Sequence, residues 1–170
     1  MSYLLSSSAY SRHTSTPNPI MSPSDIPSSC RAVVIEKKGA PWTIKDVPVS
    51  APKSGEVLIK VLACGICHSD SFMQQGHLGD VYPRVPGHEV IGKVIAVGDG
   101  EKKWKVGDRV GGGWHGSHDG SCKSCNKGMF QMCENELVNG VSRDGGCKFY
   151  FYVGKDLNIQ DDGLTCDIRC

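Results

Sequence analysis

Glycine and proline punctuate this chain so often that they set its fold class before any other feature is weighed. Between the breakers lie short runs rich in β-branched and aromatic residues. They are RAVVIEK (31–37), WTIKDVPV (42–49), EVLIKVLACG (56–65), EVIGKVIAVG (89–98), KVGDRVGGG (105–113) and GGCKFYFYVG (145–154). Gly39, Ala40 and Pro41 separate the first two, and Pro52, Ser54 and Gly55 precede the third. The third run alternates Val57, Ile59, Val61 and Ala63 on one face, the period of a strand. Gly92 inside the fourth signals a bulge or a close backbone approach. HSDSFMQQG (68–76) is the best helix candidate, opening on cap-capable residues and ending at Gly76. Many short strands joined by turns predict a mainly β fold, a small and partly open β-barrel with one short helix.

Residues 1–30 are rich in Ser and Pro and poor in large apolar side chains, so they are read as a disordered tail. The folded domain is expected over 31–153, and 154–170 is set apart as a polar, divergent tail. A formal net charge of +1 gives no electrostatic reason to expect nucleic acid or an anionic membrane surface. No run of 18 apolar residues is present, so no membrane span is expected. The first acidic residue is Asp25, as in a mitochondrial presequence, but no Arg-rich amphipathic pattern accompanies it, and the expected location is cytoplasmic.

Nine cysteines is a high and odd count, with no apolar secretory signal ahead of them. Cysteines bunched at short spacing in a reducing compartment point to metal rather than to a disulfide scaffold. Two constellations stand out. Cys67 in Cys67-His68-Ser69-Asp70, with His88 and Glu89 in Pro86-Gly87-His88-Glu89, offers a soft thiolate, an imidazole and a carboxylate, the donor types of a catalytic zinc site. Cys67 could instead be a buried structural thiol, or one half of a redox Cys64-x-x-Cys67 pair; His88 could be a core or loop histidine. The second constellation, Cys122, Cys125 and Cys133, has C-x2-C-x7-C spacing, close enough for one loop to wrap a tetrahedral ion.

CGICHSD followed by PGHE-x2-G, then Gly107-Asp108-Arg109-Val110 and the Cys-rich lobe, resembles the zinc-dependent medium-chain alcohol dehydrogenases, in particular their N-terminal GroES-like catalytic domain. The resemblance runs from about Arg31 to about Val153. It implies that Cys67 and His88 bind the catalytic zinc, with Glu89 close to the metal. It assigns Ser69 to a proton relay, for which a hydroxyl that both donates and accepts is suited. Ser69 could equally be the N-cap of the helix. Asp70 becomes a carboxylate behind the ligands, or else a solvated first-turn acid. His68 matches a position that contacts the cofactor pyrophosphate. Phe72 stands where many relatives carry a further relay histidine, and His77 is read as a solvated loop residue. Relatives commonly carry four cysteines in the lobe around a structural zinc. On that register Asp119 is the first ligand, with His115 and His118 as alternatives.

The resemblance also implies an NAD(P)-binding domain beyond these 170 residues. Gly111-Gly112-Gly113-Trp114-His115-Gly116 matches G-x-G-x-x-G but opens into the Cys lobe rather than a helix, so it is not a dinucleotide site. A third catalytic cysteine is expected near or beyond the end of the chain, a region that holds Cys166 and Cys170. Cys147 and Lys148 are unusual residues for their strand. The resulting expectation is the catalytic portion of an alcohol dehydrogenase, truncated before its nucleotide-binding domain. It would act on small primary or secondary alcohols or aldehydes with NAD(P), as a possible homo-oligomer. Two other classes compete: a non-catalytic zinc-binding module and a small redox protein.

Overall fold

The computed structural model describes residues 25–154 and 159–160. Nine strands and one short α-helix make up its regular structure: β1 (Ser29–Val34), β2 (Thr43–Pro48), β3 (Glu56–Gly65), α1 (His68–Gln74), β4 (Glu89–Val97), β5 (Arg109–Gly112), β6 (His115–Ser117), β7 (Leu137–Val138), β8 (Tyr150–Gly154) and β9 (Ile159–Gln160). The described residues adopt the expected mainly β fold, with one short α-helix and two short 3-10 turns at Cys125–Lys127 and Phe130–Met132. A five-stranded sheet in the order β8-β3-β4-β5-β9 carries the core, and β1–β2 and β6–β7 form two smaller sheets. All pairings within the sheets are antiparallel.

β3 is the central strand in packing terms. Val57, Leu58 and Ile59 are all fully buried, which strict alternation does not predict. The reason is that β3 is covered on both faces. Val57 and Ile59 join Val90, Val94, Trp104, Val110, Phe151 and Val153 in the main core. Leu58 packs the other way, with Ile95 and Ala96. Register shifts between Leu58 and Ile59 and between Val61 and Ala63 bend the β3–β4 ladder. Opposite the second lies Gly92, where a Cβ would stand 2.6 Å from the Lys60 carbonyl oxygen. The close approach expected at Gly92 is therefore real. Each large apolar side chain so buried contributes about 1.5–3 kcal/mol relative to exposure.

The ends of the domain differ from expectation. β1 begins at Ser29, two residues inside the stretch read as tail, and Ile26 packs against the Leu58 cluster. At the other end β9 lies within the stretch set apart after Val153, paired with β5 through Val110–Gln160 and Gly111–Ile159. Residues 1–24, 155–158 and 161–170, with Cys166 and Cys170 among them, lie outside the described residues.

The last predicted strand, 145–154, also needs correction: β8 starts only at Tyr150. Residues 145–147 lie instead along Val85–Gly87, with Gly145 N–H donating to Val85 O at 2.7 Å, Gly146 to Gly87 O at 3.0 Å and Cys147 to Pro86 O at 3.0 Å. The two glycines allow it. A Cβ on Gly145 would collide with the Pro86 and Gly87 backbone, and one on Gly146 with the Val90 side chain. This strap fixes the segment that ends in His88. Gly145→Ala is therefore expected to lower stability by about 1–3 kcal/mol, the usual cost of overpacking, while Gly113→Ala, whose Cβ meets nothing within 4 Å, stays within about 0.5 kcal/mol of the parent. Urea unfolding of the two variants checks this; equal midpoints would refute the strap's role.

Candidate active site and metal centres

The first site is built where β3 ends, α1 begins and β4 starts. Cys67 caps α1: its backbone is extended (φ −121°, ψ 179°), its Sγ accepts from the Ser69 N–H, and the Asp70 carboxylate returns to its N–H. This is a capping box with a thiol in the usual hydroxyl position. Ser69 is thus not the N-cap; it is the second helical residue, and the Cys67 thiol lies 3.3 Å from its Oγ. The cap aims the Cys67 sulfur at His88, 3.1 Å from Nε2.

Asp70 is not a solvated acid. It is 2% exposed and joins three segments. Oδ2 accepts from the Cys67 N–H at 3.0 Å, and Oδ1 accepts from the Gly87 N–H at 2.9 Å. The same Oδ1 lies 3.5 Å from His88 Nδ1. A carboxylate behind Nδ1 leaves Nε2 to face the site, the arrangement that orients ligating histidines. His88 is itself buried, with Trp114 edge-on at 5.0 Å between ring centroids; Trp114 is not among the residues expected at this site from the sequence. Glu89 is exposed and sits opposite Gly65 in the β3–β4 register. A Cβ on Gly65 would collide with the Glu89 carboxylate, so the glycine makes room for it. The ligand atoms of Cys67, His88 and Glu89 lie within 4.8 Å of one another. His68 is exposed on the first turn of α1, its ring edge-on to Phe72 at 4.7 Å.

The second site lies in the loop between β6 and β7. Asp119, Cys122, Cys125 and Cys133 place their ligand atoms within 4.8 Å of one another. Asp119 Oδ1 accepts from the N–H groups of Ser121 and Cys122 at 2.7 and 2.9 Å, and Oδ2 from the Asn135 amide at 2.7 Å. The Asn135 amide first, then these N–H groups, hold the carboxyl well below the usual carboxylate range. N–H groups also point at sulfur: Cys125 N at Cys122 Sγ (3.5 Å), and Asp119 N and Asn135 N at Cys133 Sγ (3.4 and 3.3 Å). The Cys125 N–H is the main influence that lowers the Cys122 pKa. Burial, reinforced by the neighbouring thiols, pushes the Cys125 thiol up to about 12. His115 and His118 turn elsewhere: His115 Nδ1 meets Glu136 at 2.6 Å and its Nε2 meets His118 at 3.2 Å.

The C-x-x-C of the sequence is split. Cys67 faces His88, whereas Cys64 faces Cys147 at 3.8 Å between sulfurs. The Cys147 thiol donates to Cys64, which holds Cys64 below its ordinary pKa and, with burial, Cys147 above it.

With the geometry in place, comparison with known proteins is direct. The sequence profile of the alcohol dehydrogenase GroES-like domain matches residues 53–160. The chain belongs to the alcohol dehydrogenase GroES-like domain family. Alcohol dehydrogenase patD of Aspergillus clavatus is 51% identical over 81% of this chain. An alcohol dehydrogenase of Geobacillus stearothermophilus is 40% identical over 82%. The acetophenone reductase of Geotrichum candidum, solved in complex with NAD, superposes with a TM-score of 0.71 at 33% identity over 82% of the chain. The chain spans 35%, 43% and 42% of the lengths of these three proteins. Gly111–Gly116 runs through β5 into β6 with no helix following, so it is not a dinucleotide fingerprint. No helix among the described residues is long and apolar enough to cross a membrane.

Asp70→Ala would strand the buried Cys67 and Gly87 N–H groups, and a loss of about 2–4 kcal/mol is expected. Asp70→Asn, which keeps one acceptor, should lose less. Denaturant unfolding of both variants measures it; an Ala variant as stable as the parent would contradict the assigned role.

Proposed function

We propose that the chain is the catalytic-domain portion of a zinc- and NAD(P)-dependent alcohol dehydrogenase that interconverts small primary or secondary alcohols and their carbonyl compounds. The observation that carries this reading is the convergence of Cys67, His88 and Glu89 on one point, with Asp70 behind the imidazole and Ser69 beside the thiol. One thiolate, one imidazole and a carboxylate form a donor set that suits zinc, a borderline-soft ion. When bound there, zinc supplies a Lewis acid that lowers the pKa of an alcohol hydroxyl.

The chain's own residues prepare that chemistry. Cys67, held by the α1 cap, and His88, held by Asp70, would be its ligands. Glu89 stands at the rim, over Gly65. The Ser69 hydroxyl, 3.3 Å from the Cys67 sulfur, is the proposed proton relay. His68, exposed on the same turn, is the described residue proposed to meet the cofactor phosphates. The lobe is proposed as a separate structural zinc site. Its three thiols and one carboxylate supply the four donors that a structural zinc takes, and N–H groups point at the Cys122 and Cys133 sulfurs.

A second reading, a zinc-binding module without catalysis, is supported by the contrast between four donors in the lobe and three at Cys67. Metal analysis and kinetics separate the two. Native mass spectrometry of the zinc-reconstituted chain should show stoichiometric metal, with one equivalent lost in Cys125→Ser and retained in Cys67→Ser. A metal-free chain, or unchanged content in Cys125→Ser, would sink the lobe assignment. In the enzyme carrying this domain, Ser69→Ala should lower kcat for NAD(P)-dependent alcohol oxidation by about 10²–10⁴-fold, the range of general acid–base effects. A kcat equal to the parent's would remove Ser69 from the proton path, and no alcohol-dependent reduction of NAD(P) would favour the non-catalytic module.

A further inference from the structure

We propose that Cys64 and Cys147 form a reversible dithiol–disulfide site, separate from both metal clusters, that is oxidised by low-molecular-weight disulfides. The sulfurs are 3.8 Å apart although the residues are 83 positions apart in sequence. Among the described residues the other five cysteines are otherwise engaged or isolated. Cys67 belongs to the Cys67–His88–Glu89 cluster, Cys122, Cys125 and Cys133 to the lobe, and Cys30 is buried in β1.

The backbone holds both members of the pair. Cys64 sits in β3 opposite Val90 of β4. Cys147 is fixed on both sides, its N–H donating to Pro86 O at 3.0 Å and its carbonyl accepting from the Val33 N–H at 2.8 Å. The two sulfurs bracket Gly87, and a Cβ there would lie 2.7 Å from each. Cys64 and Cys147 are half-buried residues that line an open groove of about 420 Å³ with Arg31, Leu62, Lys148 and Phe149, the proposed route for a small reagent. Contracting 3.8 Å to a bond of about 2.05 Å needs an approach of roughly 1.8 Å, within reach of side-chain rotation and small backbone adjustment.

The reaction balances as two exchanges. Cys64, whose sulfur accepts the hydrogen bond of the pair, loses its proton and attacks a disulfide RSSR, giving a mixed disulfide and releasing one RS⁻, which takes up that proton. Cys147 then loses its proton and attacks the Cys64 sulfur, expelling the second RS⁻. The two cysteines lose two electrons and two protons, and RSSR becomes two RSH. A thiol in excess reverses both steps. The product would cross-link β3 to the Gly145–Cys147 strap around the residue that precedes His88.

The test is to incubate the zinc-loaded chain in glutathione buffers of increasing oxidised fraction, then to alkylate free thiols and map peptides by mass spectrometry without reduction. The expected result is a Cys64–Cys147 cross-linked peptide pair, lighter by two hydrogens and released by excess reduced glutathione. Zinc in the lobe should be retained throughout. Cys147→Ala should abolish the cross-link and leave Cys64 carrying a glutathione adduct, with metal content matching the parent as the check that it has folded. A Cys64–Cys67 link in the parent, or Cys64 and Cys147 both alkylated at every ratio, would overturn the proposal.

Discussion

A single buried carboxylate ties the proposed active site together. Asp70 accepts from the N–H of Cys67 at the start of α1, accepts from the N–H of Gly87 in the loop before β4, and stands behind the His88 ring. Each contact has a separate function: the first completes the cap that aims the thiol, the second anchors the loop, and the third orients the imidazole. Asp70 bridges the two segments that carry the proposed ligands, alongside the β3–β4 ladder and the bond from the Tyr82 hydroxyl to the Met73 carbonyl. A carboxyl group with almost no solvent exposure is tolerable because the Cys67 and Gly87 N–H groups donate to it and the His88 ring lies against it.

The second layer of support comes from small residues that let backbone approach backbone. Gly145 and Gly146 allow their segment to lie on Pro86–Gly87, and Gly65 leaves space for Glu89. These glycines have no catalytic chemistry, yet they set where His88 and Glu89 stand. The Cys-rich lobe is organised differently. Its order comes from a dense local set of N–H donors around Asp119, Cys122 and Cys133 rather than from burial in the sheet.

The parts of this architecture that were legible in the sequence are those written in local pattern. β3 and β4 announce themselves by β-branched runs between turn residues, α1 by the polar opening of HSDSFMQQG, and the lobe by C-x2-C-x7-C, whose ligands are neighbours along the chain. What escaped is what depends on contacts between distant segments. Residues 145–149 read as a strand only by continuity with the aromatic run that follows, and the strap is decided by where Pro86–Gly87 runs. Asp70 looks like an ordinary first-turn acid until Gly87 and His88 fold over it. Ser69 has a better capping side chain than Cys67, yet the cap falls two residues earlier, where Asp70 reaches back to the Cys67 N–H. The C-x-x-C spacing offers a Cys64–Cys67 redox pair as an alternative, but the fold turns the two sulfurs to different neighbours.

The contrast between the two proposed metal sites has a kinetic side. In the lobe the four donors fall between Asp119 and Cys133, so closing the loop around an ion has a small entropic cost and needs no prior sheet. The Cys67–His88 pairing instead requires β3 and β4 to be in register, α1 capped and the 145–147 strap laid down. The order of assembly follows: on a nascent chain with zinc at hand, the lobe is competent to close while the sheet is still searching for its pairings. The early ion would then occupy the site with no part in turnover and keep its reactive thiols from wandering, before the site proposed for chemistry exists.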